Sequence, residues 1–143
     1  MFAYLQLSQQ QQGSRDLLIS NQVAKGFEQL GSDKLFVRLG GIYALEGVMN
    51  NSERYHRPVL EALNAFVRDG ARNRTGDGPP ATDIQAALTV IGRRAAIGTG
   101  VADLGNVYIP RAELVRANLV LAYLVGANLS GAYLADANLR GLG

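Results

Sequence analysis

Polar and apolar positions follow two regimes that meet near residue 98. Ahead of it, apolar residues recur at helical spacing. Ile19, Val23, Phe27 and Leu30 follow one another at steps of 4, 4 and 3, which places them on one face of a helix. Gly31 predicts the end of that helix, and Ser32 and Asp33 offer caps for the next. Leu35, Leu39, Ile42, Leu45 and Met49 form the second stripe. Asn50, Asn51 and Ser52 predict a turn, with Ser52 the N-cap of a third helix bearing Val59, Leu60, Leu63, Phe66 and Val67. Pro58 falls near its start, where a missing donor costs least. Residues 69–80, DGARNRTGDGPP, predict a surface loop. A fourth helix carries Ile84, Ala87, Leu88 and Ile91. The run LSQQQQGS is polar, and residues 1–15 are expected to fray.

Beyond residue 98 the period is five. Ala102, Val107, Ala112, Ala117, Ala122, Ala127, Ala132 and Ala137 are each followed two residues later by Leu or, once, by Ile109. A helix turns ~100° per residue, so a five-residue step smears this stripe around its axis. A flat strand fails too, because five steps change face. Three extended residues reading in-out-in, then a two-residue corner, solve the phase problem. Four such sides close a coil of about 20 residues, and coils stack at the strand spacing of ~4.8 Å. Ladder hydrogen bonds then satisfy the backbone. Residues 20 apart are expected to stack, Leu104 on Leu124 and Leu119 on Leu139 among them. Between the inward positions, Tyr108, Asn118, Tyr123, Tyr133 and Asn138 point outward.

The stretches RANLV, GANLS and DANLR show the motif A(D/N)LXX, and residues 102–141 resemble the pentapeptide-repeat family. The resemblance implies a right-handed quadrilateral β-helix. The fold class expected is therefore α+β, with a helical module over residues 1–97 capping a short β-helix of about two coils over 98–143. GGIYALEG at Gly40–Gly47 resembles AALTVIGR at Ala86–Arg93 at an offset of 46. HEAT-like repeats and a plain four-helix cap both accommodate that pattern. VRLGGIYALE, VLEALNAFVR and IQAALTVIGRR resemble the helical module ahead of the repeats in a group of bacterial pentapeptide-repeat proteins. Those relatives often carry membrane-spanning helices before this module. No span precedes it here, so the chain is either a soluble member or starts further upstream.

Composition narrows the chemistry. The chain has no Cys, which excludes a disulfide framework and thiolate metal sites. Lys and Arg total 14 against 12 acidic residues, with three of each beyond residue 100, so charge identifies no partner. No run reaches the ~18 apolar residues of a membrane span, and MFAYLQL lacks a basic region ahead of it. A cytoplasmic protein is expected. The single His, His56, reads as a surface residue, with no second His or Cys to complete a catalytic set. GTGVADLG from Gly98 lacks the ending of a phosphate loop and reads as a joint. Arg68, Arg72 and Arg74 read as solvated loop residues, and Arg93 and Arg94 as partners of a helix dipole.

These features describe a non-enzymatic scaffold with no cofactor, no metal and no nucleic-acid partner. Its protein-binding residues would be Tyr108, Tyr123, Tyr133, Asn118 and Asn138. The family resemblance offers an alternative, a DNA mimic that binds gyrase. Mimicry needs a long acidic rod, whereas the repeat part is neutral and about two coils long. RGLG leaves the last side unfinished, with Leu124, Leu129, Leu134 and Leu139 on its rim. End-to-end self-association through that coil is expected, or a natural chain cut short.

Overall fold

The computed structural model of this chain describes residues 2–72, 74–95 and 100–142. The joint expected from Gly98 falls partly on 96–99, outside the described residues. Four helices come first: α1 (Phe2–Leu30), α2 (Leu35–Asn51), α3 (Glu53–Ala71) and α4 (Thr82–Gly92). α1 begins at Phe2, within the stretch expected to fray. Gln is a good helix former, so the polar run continues the helix although residues 9–18 are exposed.

Helix packing follows the apolar stripes with a shift at one helix. α3 buries Val59, Leu60, Leu63 and Val67 and α4 buries Ile84, Ala87, Leu88 and Ile91, each large aliphatic contributing about 1.5–3 kcal/mol. On α1 the buried residues among those described are Val23 and Gly26, while Phe27 remains 38% exposed. The contact explains the shift: Gly26 faces Leu45 of α2, whose Cδ2 would lie 2.7 Å from an added Cβ. Gly41 of α2 approaches the α1 backbone as closely, 2.9 Å from the Gly26 carbonyl oxygen by the same measure. The two helices meet through glycines where large residues would separate them.

The helix boundaries also depart from the sequence. Lys34 and Ser52 occupy the N-cap positions of α2 and α3, and neither caps through its side chain. Ser32 instead accepts the Lys34 N–H on its Oγ at 3.1 Å. α3 runs through Ala71, so the loop starts at 72 rather than 69, and Pro58 lies inside the helix. Arg68 and Arg74, expected in solvent, are structural. Arg68 donates to the Asp103 carbonyl at 3.0 Å and pairs with its carboxylate at 3.2 Å. Arg74 donates to the Gly78 and Pro79 carbonyls.

Residues 102–142 coil. Parallel bridges join Asp103 to Tyr123, Tyr108 to Asn128, Glu113 to Tyr133 and Asn118 to Asn138, so the chain returns above itself every 20 residues. Each side makes three main-chain bonds to the next coil. On the first side, Tyr123 N–H donates to Ala102, Leu104 to Tyr123 and Asn106 to Val125, all at 2.9 Å. Corners fall every five residues at Asn106, Arg111, Arg116, Leu121, Gly126, Gly131, Asp136 and Gly141, all with φ between 58° and 74°. Among the described residues no extended strand forms. A side holds one bridge residue between two corners, too short for a ladder.

The core is continuous. One cluster of buried residues runs from Ile42, Leu60 and Leu88 in the helices to Leu104, Ile109, Leu114 and Leu119 in the first coil. Leu124, Leu129 and Leu134 of the second coil are half-buried against it, while Leu139 and Leu142 are 39% and 43% exposed.

Candidate functional site

The first coil needs a partner for its outer edge, and the helices supply one on every side. The first side receives Asn64 Nδ2 on the Val101 carbonyl and Arg68 on that of Asp103, both at 3.0 Å. On the second, Tyr108 N–H donates to the carbonyl of Ala71, the last residue of α3, at 2.9 Å. On the third, Gln85 accepts the Glu113 N–H and donates to the Glu113 carbonyl, each at 2.9 Å. On the fourth, Asn118 N–H donates to the carbonyl of Gly92, the last residue of α4, at 2.7 Å. Carbonyls at a helix C-terminus have no partner within the helix, and here two of them replace a preceding coil. An open sheet edge of this kind is a template for unwanted pairing; the helices remove it.

Arg94 completes the closure. Its side chain is buried and donates to the carbonyls of Ile91 at 2.6 Å, Asn118 at 3.0 Å and Gly100 at 3.4 Å. Burial holds its pKa below the ordinary guanidinium value. Arg93, in contrast, faces outward and grips Glu46 of α2 with two bonds, at 2.7 and 2.9 Å. That hydrogen-bonded pairing raises its pKa. Arg94 thus serves the C-terminal end of α4, as expected, through the Ile91 carbonyl, and reaches the repeat as well through Asn118 and Gly100.

His56 is not on the surface. It is 1% exposed, and its Nδ1 lies 3.1 Å from the Met49 carbonyl oxygen near the end of α2. The ring therefore ties the C-terminus of one helix to the next. A signal for this was available: His56 stands three and four residues before Val59 and Leu60, on the apolar stripe of α3. Gln85 carried no comparable signal, because its role is set by the coil it meets.

The five expected binding residues divide. Tyr108 is half-buried, and its hydroxyl donates to the Gly76 carbonyl at 2.8 Å, strapping the segment around Gly76 to the second side. Asn118 is half-buried in the closed edge, and its Oδ1 accepts the Val120 N–H at 3.2 Å. Asn138 is exposed and makes the same local bond to Arg140, at 3.2 Å. Tyr123 and Tyr133 are 47% and 58% exposed, on the first and third sides of the second coil. The structure thus separates two covered positions, Tyr108 and Asn118, from three presented ones, Tyr123, Tyr133 and Asn138.

Among the described residues no helix is long and apolar enough to cross a membrane, and no three His, Cys, Asp or Glu side chains gather where they could hold a metal. Comparison with curated proteins and with solved structures yields no match. Residues 102–141 match the family model described as pentapeptide repeats, in eight copies.

Proposed function

We propose that this protein is a non-enzymatic scaffold. In it the helical module caps one end of a right-handed quadrilateral β-helix, and the faces of the second coil bind a protein partner. Two coils joined side by side at 20-residue spacing support the β-helix. The observation that carries the scaffold function is the contrast between the coils. Main-chain groups on every side of the first coil are taken up by the helices. The second coil presents Tyr123 and Tyr133, half or more exposed, on residues held by bridges. Exposed Tyr on a rigid frame supplies large contact area at low entropic cost.

Affinity capture from the native host tests this. The unmodified chain should retain a protein that a Tyr123→Ala/Tyr133→Ala variant loses, with helical content unchanged. Equal retention by the variant would overturn the placement of the binding face. Turnover of a small molecule dependent on any side chain would overturn the non-enzymatic assignment.

A further inference from the structure

We infer that α2 pairs antiparallel with α2 of a second copy of this chain, across a two-fold axis between Gly41 and Ile42, with each Phe36 ring seated over Gly47 of the other copy. α2 is apolar on every side of its axis, and a helix of that kind is ordinarily buried all round. Within the chain, α1, α3 and α4 cover three of its sides. The fourth is open. Phe36, Gly40, Tyr43 and Gly47 are all exposed. At ~100° per residue they fall within about 60° of one another, in one straight stripe. Phe36 is 85% exposed, the most of any large apolar side chain among the described residues.

The stripe alternates large and bare positions. A Cβ added at Gly40 or at Gly47 would meet nothing within 4 Å. Together with Ala44 these glycines line a groove of about 630 Å³ against α1. Rings at two positions and holes at two others complement each other only in one register. Phe36 with Gly47, and Tyr43 with Gly40, are centred on the same point, between Gly41 and Ile42. A two-fold axis through that point sets every ring of one copy over a glycine of the other. Such self-complementarity is what an isologous contact requires, where residue i meets j and j meets i.

Charge fits a second copy as well. A two-fold axis turns a surface against itself, so a stripe of one charge would repel its image. This stripe carries none. The two charged residues of α2, Arg38 and Glu46, are held within the chain by Asp83 and Arg93. The pairing stands apart from partner binding by the second coil, and either can fail without the other.

Sedimentation equilibrium of the full chain tests the pairing. The mass should rise with concentration from 15.3 kDa towards twice that value. Phe36→Ala and Gly47→Leu should each weaken association at least about tenfold, because each alters an anchor that occurs twice in the contact. The monomer tolerates both: one shortens a side chain in solvent, and the other enters open space on a helix. Unchanged helical content checks this. Mixing the two variants is the discriminating measurement. In the mixed pair one Phe36 still meets a glycine, and the introduced leucine faces the introduced alanine, so the ring-and-hole fit returns. The mixture should associate at least about tenfold more tightly than either variant alone. A strictly monomeric chain at ~1 mM, or no gain on mixing, would overturn the pairing. So would a dimer indifferent to both substitutions, which would assign association to another face such as the last coil.

Discussion

The Gln85 carboxamide holds both main-chain groups of Glu113, accepting from its N–H and donating to its carbonyl at 2.9 Å each. A side chain here takes the place of a peptide group in a neighbouring strand. Replacement by Leu removes both bonds at similar volume. At a net value of about 0.5–1.5 kcal/mol per bond, Gln85→Leu should cost about 1–3 kcal/mol, read from the urea midpoint. Amide exchange gives a local reading. The Glu113 N–H should exchange faster in the variant, while the Tyr133 N–H, bonded to Ala112 at 2.9 Å, should keep its protection. Unchanged exchange at Glu113 would show that Gln85 does not close this side.

Glycines on one helix make opposite predictions. Gly47 is exposed on α2, and an added Cβ would meet nothing within 4 Å. Gly47→Ala should therefore stabilise the chain by roughly 0.5–1 kcal/mol, the gain from a stiffer unfolded backbone and better helix propensity. Gly41 faces α1, where the new Cβ would lie 2.9 Å from the Gly26 oxygen and 3.0 Å from the Leu30 nitrogen. Backbone cannot step aside as a side chain can. Gly41→Ala should destabilise by about 1–3 kcal/mol, and thermal melts of the pair should move in opposite directions.

The coil was legible because its period is a covalent property of the chain: a repeat of five excludes a helix or flat strand from residue types alone. The corners were less so. Gly126, Gly131 and Gly141 mark three of them, but Arg111, Arg116 and Leu121 adopt the same left-handed conformation with full side chains, held there by the bonds on either side. Helix existence was legible from apolar spacing, while the buried face of α1 was not, since Gly26 offers no hydrophobic signal. What closes the first coil was hidden for a different reason. The Ala71 and Gly92 carbonyls belong to the backbone, and no residue type announces where a helix end will point.

The corners supply a further pair. Leu121 sits at φ 59°, a conformation costing an L-residue roughly 1–2 kcal/mol. Asn tolerates it by bonding locally, so Leu121→Asn should be neutral to stabilising by up to about 1 kcal/mol. Gly126 sits at φ 74°, and an added Cβ would lie beside the Asn106 carboxamide oxygen. Gly126→Ala combines left-handed strain with that clash and should cost about 1–3 kcal/mol. Denaturant titration of both variants checks the contrast; equal effects would mean that the corners are not the strained positions.

His56 provides the sharpest separation between a surface and a core role. An exposed side chain away from special features changes stability by no more than about 0.5 kcal/mol when replaced. At 1% exposure with Nδ1 against the Met49 carbonyl, His56 has both packing and a bond to lose. His56→Ala should cost about 2–4 kcal/mol through the cavity and the unpaired carbonyl. His56→Leu fills much of the space and loses only the bond, so it should fall between, at about 1–2 kcal/mol. The order of the three proteins in a denaturant titration is the decisive reading. Wild type, Leu and Ala in descending stability would mean that the ring acts through packing and a helix-end bond together. Indistinguishable midpoints would return His56 to the surface.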